Sequence, residues 1–357
     1  MSNRFQQGPR LGDYFLEQRR TKRTFLDDIE ALIDWKPIQT LLNQKLKRKA
    51  NAVGNPAYPA LAMFKILLLQ RWYNLSDPAT EQALLDRLSF IRFTGFSIED
   101  DVPDETTICR FRNGLIKLDI LGKLLDMING QIEGKGLLVR EGAVVDASVV
   151  ESQRKPRKVI DIMPQDRAED KEAGADGDAK GTDEGTTQES AIKISYSDDE
   201  EAAWIWKQRR AHYGYKIHVA TDCRDGFILG GHVTPANLSD TGEFERLVDS
   251  ITLDNGAYVY ADKGYTSGHN RDVLLERELK DGIMDRATRS GPLNRHEKLR
   301  NRLISGVRYL VERTFGTLKR GYGFARARYI SQQKVEAELK LIALAFNLKK
   351  AVGLMRT

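Results

Sequence analysis

Apolar residues recur at helical spacing along the first third of the chain and predict several short helices. Residues 25–42 and 60–72 carry this spacing, and Pro37 is expected to break the first segment in two because proline lacks a backbone N–H. A Ser-Asp-Pro start then predicts a helix over residues 78–90. We therefore expect residues 1–130 to form an all-helical N-terminal domain.

The last helix of this region is basic. It opens at Asp104 and carries Arg110, Arg112 and Lys117. Short helices joined by tight turns, the last one basic, are compatible with a helix-turn-helix that binds DNA, with Arg110 and Arg112 as candidate contacts. A helical bundle that mediates dimer contacts explains the same pattern.

After residue 136 the pattern changes to short β-type runs that alternate with helical segments. The predicted order is strands at 142–151, 213–221 and 227–234, a helix at 241–251, a strand at 257–262, a helix at 269–279, a strand at 283–286, and helices at 302–322 and 334–352. This order predicts an α/β, ribonuclease-H-like catalytic domain over residues 136–357, with a mixed sheet and helices on both faces.

One carboxylate interrupts the first predicted strand. Val144, Val145, Val149 and Val150 suit a covered, pleated surface, yet Asp146 lies among them. A buried carboxylate must be paired, hydrogen-bonded or bound to a metal ion, because burying it alone is costly. For Asp146 by itself, capping a turn at the end of the strand is the alternative.

Two later acidic residues add to this picture. Asp262 ends a strand beside a turn, where open α/β sheets tend to place their sites. The helix at 302–322 is amphipathic, and Arg308, Glu312 and Lys319 lie within about 40° of one another along the edge of its apolar stripe. Such a helix can place Glu312 beside the sheet.

Two aspartates on strands and a glutamate on a later helix make a ligand set of oxygens only. Hard cations such as Mg²⁺ and Mn²⁺ prefer such ligands. Two of these ions, about 4 Å apart, stabilise both the attacking and the leaving oxygen of a phosphoryl displacement. In a chain with 51 acidic residues, three separated carboxylates do not by themselves establish a site. They make Asp146, Asp262 and Glu312 candidate catalytic and metal-binding residues of a Mg²⁺-dependent enzyme, in which Mn²⁺ can substitute.

The surrounding motifs carry a family resemblance. Val-Val-Asp-Ala-Ser around Asp146, Tyr-Ala-Asp-Lys-Gly-Tyr around Asp262 and Arg-x3-Glu-x6-Lys around Glu312 resemble the DDE transposases of bacterial insertion sequences, in the insertion-sequence-four and insertion-sequence-five group. The similarity continues through residues 104–114 and 212–222. The group's signature begins with a tyrosine, and Ser305 stands at that position here.

The resemblance implies a DNA transposase that cuts the ends of an insertion sequence and joins them to target DNA. Asp146 would bridge two Mg²⁺ ions that Asp262 and Glu312 complete, while Arg308 and Lys319 would hold terminal phosphates. Double-stranded DNA, as terminal inverted repeats and target, is the implied partner, and joining two ends implies a homodimer on DNA. Lys263 and Arg320 are further candidate DNA contacts; for Lys263, a solvated turn lysine is the alternative.

Charge is distributed unevenly along the chain. The formal net charge is +5, but residues 161–203 hold 14 acidic and four basic residues. Residues 286–328 hold 12 lysines and arginines against two acids, Glu297 and Glu312. Such a basic stretch fits a nucleic-acid backbone, although a solvated face without a partner is the alternative. The acidic segment, within residues 155–203, is expected to be a mobile insertion because it has too little apolar surface to bury.

Aromatic, histidine and cysteine residues change the picture little. Trp204 and Trp206 could stack on a base, but we expect them to be packing residues. None of the five histidines is assigned to catalysis, and His218 is expected to be a satisfied core residue. The two cysteines offer no disulfide framework.

With no secretory leader and no apolar run long enough to span a membrane, we expect a cytoplasmic protein at the bacterial nucleoid, without a membrane partner.

Two other functions remain open at this point. A catalytically silent DNA-binding regulator could keep the fold, although the presence of all three carboxylates argues against it. A metal-dependent nuclease of the same fold would differ from a transposase in its substrate preference, and fold alone does not choose between them.

Overall fold

The computed structural model describes residues 23–46, 57–156, 158–163, 191–196, 199–207, 209–287 and 291–356, with the backbone alone at 158–163 and 191–196. The helices described before residue 136 are α1 Phe25–Leu32, α2 Trp35–Lys45, α3 Ala60–Trp72, α4 Asp77–Asp86, α5 Leu88–Thr94, α6 Glu105–Lys117 and α7 Leu121–Glu133. The helical character predicted for this region is therefore observed in its described residues.

The predicted break in the first helical segment occurs slightly earlier than Pro37. Helix α1 ends at Leu32, and Asp34 caps α2 by accepting a hydrogen bond from the backbone N–H of Lys36. Pro37 consequently lies in the first turn of α2, where a missing backbone N–H costs nothing.

A six-stranded mixed sheet forms the second half of the structure. Its strands are β1 Gly142–Glu151, β4 Ala203–Lys207, β5 Arg210–Asp222, β6 Ile228–Pro235, β7 Tyr258–Ala261 and β8 Lys280–Ile283. The order is β4-β5-β1-β7-β8, and β6 also pairs with β5. Strand β5 is antiparallel to β1, β4 and β6, whereas β1, β7 and β8 are parallel to one another.

Four described helices complete this half. They are α8 Phe244–Asp249, α9 Gly268–Glu276, α10 Arg295–Gly321 and α11 Gln332–Met355. Helix α10 begins seven residues before its predicted start, because Asn294 and Glu297 form a reciprocal capping box that starts the helix there. The predicted mixed sheet with helices on both faces is confirmed.

Alternate residues of the central strands face two different cores. Val144 and Val150 of β1 belong to a large cluster that includes Val311 and Phe315 of α10 and continues into the N-terminal helices. Val145, the intervening residue, belongs to a smaller cluster with residues of α8 and α9. Helices α10 and α11 therefore cover one face of the sheet, and α8 and α9 cover the other.

The region of the predicted insertion contains a pair of strands that the sequence did not predict. Strand β2 Lys158–Met163 pairs antiparallel with β3 Ala191–Tyr196 in a separate two-stranded sheet. Residues 157, 164–190 and 197–198 lie outside the described residues, and most of the predicted mobile insertion falls there.

A buried ion pair joins the N-terminal helices to the C-terminal helix. Arg71 of α3 donates to Glu338 of α11 at 2.8 Å, and the two side chains are only 2% and 1% exposed. The second Glu338 oxygen accepts from the backbone N–H of Arg328 at 2.9 Å, and Arg71 also donates to the Tyr329 hydroxyl. Both Glu338 oxygens are thus paired within the core, whereas the Arg71 Nε atom has no hydrogen-bond partner among the described residues.

Removing one partner of this pair is predicted to destabilise the fold strongly. Glu338→Ala leaves the Arg71 guanidinium buried without its counter-charge, so we expect a loss of about 3–5 kcal/mol in the free energy of unfolding. Urea denaturation measures this, with Glu81→Ala on α4 as a partly exposed acidic control. A loss below about 1 kcal/mol for Glu338→Ala would contradict the analysis.

Two histidines stack on each other inside the sheet. His218 of β5 and His232 of β6 have ring centroids 4.8 Å apart and an interplanar angle of 14°. Their Nε2 atoms face Thr234 and Glu243, but neither Nδ1 atom has a hydrogen-bond partner among the described residues. His218 is therefore buried as expected but only half satisfied.

Burial lowers the pKa of both histidines to about 3, and nearby cationic side chains add to the effect. The unfolded chain therefore binds more protons than the folded one between pH about 6.5 and 3. Stability should be complete above this window and fall as the pH decreases, by up to about 1.4 kcal/mol per pH unit for each histidine.

We predict that His218→Gln weakens this pH dependence. Unfolding free energies at pH 7.5 and 5.5 measure the effect, and His269→Gln is the matched control because the His269 side chain is 68% exposed. An unchanged difference in unfolding free energy between the two pH values in His218→Gln would refute the assignment.

In the described residues, none of the helices combines the length and apolarity needed to cross a membrane.

Candidate active site

The pairing of β1 with β7 places the first two predicted catalytic residues side by side. Val144 and Tyr260 are register partners in these parallel strands. Asp146 and Asp262 each lie two residues further along, so both point to the same face of the sheet from adjacent strands. Asp146 is within β1, whereas Asp262 follows β7 directly and caps a short 3₁₀ turn over Lys263–Tyr265.

Each aspartate accepts a hydrogen bond from the backbone N–H of the next residue. The Asp146 Oδ1 atom accepts from Ala147 at 2.8 Å, and the Asp262 Oδ1 atom accepts from Lys263 at 2.7 Å. These contacts hold both carboxylates close to their own backbone. The backbone hydrogen bond of each aspartate therefore also fixes the orientation of its other carboxylate oxygen, Oδ2.

Helix α10 supplies the residue that lies between them. The Arg308 Nη2 atom donates to Asp146 Oδ2 at 3.1 Å, and its Nη1 atom lies 3.6 Å from Asp262 Oδ1. The same Nη2 atom is 4.0 Å from Glu312 Oε1, one helical turn further along α10. One guanidinium therefore contacts all three predicted carboxylates.

The three carboxylates differ in exposure. The side chain of Asp146 is 21% exposed, that of Asp262 is 39% exposed and that of Glu312 is 63% exposed. The site is thus a cleft that is closed at Asp146 and open to solvent at Glu312. A large substrate can reach such a site from the side of α10.

Burial raises the pKa of Asp146 above its ordinary value. Arg308 and the backbone N–H of Ala147 act in the opposite direction, and the negative charge of Asp262 raises the pKa further. Two neighbouring carboxylates thus repel each other in a partly buried place, which is an environment that favours a bound cation.

A buried tyrosine borders the site on the other side of the strands. The Tyr265 side chain packs against Phe244, and its hydroxyl has no hydrogen-bond partner among the described residues. Burial raises the pKa of Tyr265 well above its usual range, and the charge of Asp146 adds to this. Sequence analysis did not single out this residue, although it belongs to the motif around Asp262.

The donor set of the site suits a hard divalent cation in its chemistry. Three carboxylates supply oxygen ligands, and their negative charges need compensation. Within the described residues, however, no three acidic, histidine or cysteine side chains are arranged to hold a metal ion, and the Arg308 guanidinium lies among the three carboxylates. The three side chains therefore fit a divalent cation by their chemistry and not by the arrangement that they have here.

The predicted DNA contacts lie in different environments. Lys263, Arg320 and Arg110 are exposed. Lys319 is partly buried on α10, and its pKa is lowered by burial and by the neighbouring charge of Lys207. The side chains of these four residues are accessible to a polyanion such as DNA.

Arg112 is a correction to the predicted DNA contacts. Its guanidinium is buried, and it donates to both carboxylate oxygens of Asp77, at 2.8 and 2.6 Å. The helix that carries it turns this face toward the N-terminal core, whereas Arg110 faces outward. Arg112 is therefore a structural ion-pair residue and does not face DNA.

Trp204 and Trp206 also differ from expectation. They are 52% and 73% exposed, so the prediction that they are packing residues is wrong. They alternate along the edge strand β4 and share one face, where Trp204 contacts the Tyr213 ring at a centroid distance of 5.1 Å. An edge strand has a neighbouring strand on one side only. The hydrophobicity of the two tryptophans does not indicate that β4 is at the edge of the sheet.

The sheet and its acidic cleft define a ribonuclease-H-like enzyme with three carboxylates in its site. Comparison with protein families gives a match to the family described as "Transposase DDE domain" over residues 139–348. Residues 14–114 match the family described as "Transposase domain (DUF772)". Because the DDE match covers more than half of the chain, the protein belongs to the DDE transposase family.

A curated relative agrees with this assignment. The chain is 39% identical over 247 residues to the transposase for insertion sequence element IS1106 of Neisseria meningitidis serogroup B, a match that covers 68% of this chain and 77% of the relative. The predicted insertion-sequence DDE transposase class is confirmed. Members of this class are polynucleotidyl transferases that use divalent metal ions.

Solved structures include two distant neighbours. One is a cryo-EM structure of a piggyBac transposase synaptic complex with hairpin DNA, with 11% identity and a TM-score of 0.43 over 94% of this chain and 77% of that chain. The other is a crystal structure of a pre-cleavage Mos1 transpososome, with 10% identity and a TM-score of 0.20 over 85% of this chain and 98% of that chain.

Proposed function

We propose that this transposase cuts the ends of its insertion sequence and joins them to target DNA, with Asp146, Asp262 and Glu312 as the catalytic residues. The observation that carries the proposal is the position of the three carboxylates around one point, marked by the Arg308 guanidinium. Residues that are 116 and 50 positions apart in the chain meet there, in the cleft between β1, β7 and α10.

In this proposal Asp146, Asp262 and Glu312 would hold two Mg²⁺ ions, which Mn²⁺ could replace. When bound, the metal ions activate the attacking hydroxyl or water and neutralise charge on the leaving oxygen. Asp146 is the most buried of the three carboxylates and lies on β1, next to the strand that leads to Asp262.

The basic side chains of α10 position the DNA. Arg308 holds a terminal phosphate through its guanidinium fork, and Lys319 contacts the backbone as a point charge. Arg320 and Lys263 extend the basic surface on either side of the cleft, where both are exposed. DNA that runs along α10 therefore passes the open, Glu312 side of the site.

The rest of the molecule serves recognition and assembly in this proposal. Residues 1–130 act as a DNA-binding or dimerisation domain, with Arg110 on its exposed surface, and residues 136–357 as the catalytic domain. The substrates are the terminal inverted repeats and the target duplex, and a homodimer brings two ends together. A silent regulator is disfavoured because all three carboxylates are present and lie around one guanidinium. A simple nuclease would cut without joining.

Loss of Glu312 should abolish the chemistry while DNA binding persists. Glu312→Ala removes a proposed metal ligand, and since outer-shell partners of metal sites already contribute 10–100-fold, we expect cleavage and joining to fall by at least about 100-fold. The side chain is 63% exposed, so the fold should be unaffected. Strand cleavage and joining on labelled element-end duplexes with Mg²⁺ measure the effect.

Glu276→Ala is the matched control, since the Glu276 side chain is 74% exposed on α9. Cleavage by Glu312→Ala at the rate of the wild type would remove Glu312 from the site. Wild-type protein that binds these duplexes without cutting them would favour the silent regulator, and cutting without joining would favour the nuclease.

Charge removal on α10 should lower the salt dependence of DNA binding. Each phosphate contact contributes a slope of about 0.9 in log affinity against log salt concentration. We therefore expect Lys319→Ala and Arg320→Ala each to reduce the magnitude of the slope by about one. Lys349→Ala on α11, an exposed lysine outside the proposed interface, should leave it unchanged. Equal slopes for all four proteins would contradict the proposed DNA path.

A further inference from the structure

Arg308 lies where a metal ion has to bind. Its side chain is only 12% exposed, and its two terminal nitrogens face Asp146, Asp262 and Glu312 at 3.1, 3.6 and 4.0 Å. Its third nitrogen, Nε, is buried and has no hydrogen-bond partner among the described residues. The carboxylates thus contact only the two terminal nitrogens of the guanidinium, and the Nε donor is left unsatisfied.

Both carboxylate oxygens of Asp146 already accept a hydrogen bond. Its Oδ1 atom accepts from the Ala147 backbone, and its Oδ2 atom accepts from Arg308. A metal ion at this carboxylate would have to share or take over the second contact, and it would meet the positive charge of Arg308 at short range. Arg308 and a divalent ion therefore compete for the same ligands.

We propose that Arg308 is an exchangeable counter-cation of the metal site, which leaves the carboxylates when its guanidinium binds a DNA phosphate. Metal binding and DNA binding then favour each other, because DNA removes the competitor of the metal ion. This inference rests on the proposed function, since it requires that the same carboxylates hold the metal and that DNA passes along α10.

The chemistry of the side chain supports such an exchange. A guanidinium fork binds phosphate and carboxylate in the same two-pronged manner, so a phosphate offers Arg308 a replacement for the contacts it gives up. The unsatisfied Nε donor also gains a possible partner on leaving its buried position. Coupling of this kind must act in both directions, so bound metal should also strengthen DNA binding.

The first experiment measures Mn²⁺ binding without DNA, by the electron paramagnetic resonance signal of free Mn²⁺. Arg308→Met keeps an unbranched apolar stem, shorter than the arginine side chain, and removes the charge. We therefore expect the dissociation constant of this variant for Mn²⁺ to be roughly tenfold or more below that of the wild type. Arg302→Met is the matched control, because Arg302 is an exposed arginine on the same helix. Arg308→Met combined with Asp146→Asn should lose the gain.

The second experiment repeats the titration with a short DNA duplex at low salt. DNA should lower the dissociation constant of the wild type for Mn²⁺ and have little effect on Arg308→Met, in which the competitor is already absent. The Asp146→Asn, Asp262→Asn double variant with the same duplex corrects for Mn²⁺ bound by the DNA itself.

Three results would overturn the inference. They are equal Mn²⁺ affinity for wild type and Arg308→Met without DNA, an equal gain in Arg302→Met, and equal effects of DNA on wild type and Arg308→Met. If Arg308→Met fails to unfold cooperatively, Arg308→Lys replaces it, with an expected affinity between those of Arg308→Met and the wild type, because an ammonium cannot bridge both aspartates.

These results are separable from those on the proposed function. A wild type that cuts and joins element ends, while Arg308→Met binds Mn²⁺ as the wild type does, would reject the exchange and retain the transposase mechanism. A wild type that never cuts, with tighter Mn²⁺ binding in Arg308→Met, would retain the exchange at the carboxylates and reject the proposed catalysis.

Discussion

The parallel pairing of β1 with β7 is the constraint on which the site depends. Its register fixes Asp146 and Asp262 as neighbours on one face of the sheet, and two carboxylates so placed repel each other. Burial raises the pKa of Asp146, and the negative charge of Asp262 raises it further. The fold therefore requires a cation at this point, and α10 supplies one as Arg308. A site built in this way stores unfavourable charge until a stronger cation takes the place of the guanidinium.

The position of α10 follows from its apolar side, not from its charges. Val311 and Phe315 belong to the same core as the strand residues Val144 and Val150, and this packing sets the rotation of the helix. Arg308 and Glu312 are one turn apart at the edge of that apolar stripe, so both meet the open end of the cleft. The same helix turns Arg320 to solvent. One amphipathic helix thus combines a packing surface, a carboxylate of the candidate site and a basic surface.

Sequence analysis located the three carboxylates because each breaks a local rule. Asp146 is charged within a valine-rich strand, Asp262 ends a strand at a turn, and Glu312 is one of two acids in a basic stretch. The motifs around them gave the family. The alternation of strands and helices also predicted the mixed sheet, whereas strands β2, β3 and β4 were not predicted. Features that a residue shows within its own strand or helix, such as a charge in an apolar strand, could therefore be predicted from the sequence.

The errors concern residues whose environment is decided by distant segments. Arg110 and Arg112 are equally basic in sequence, but only Arg112 turns inward, where Asp77 of another helix neutralises it. Trp204 and Trp206 look like core residues, yet β4 is an edge strand and leaves them exposed.

Arg308 was assigned to phosphate from the signature alone, and its contacts with the carboxylates became visible only when β1, β7 and α10 were assembled. Both assignments describe the same chemistry, because a guanidinium that can bind a carboxylate pair can also bind a phosphate. The cleft therefore offers Arg308 two alternative anionic partners, and which one it holds determines whether the carboxylates are free for a metal ion.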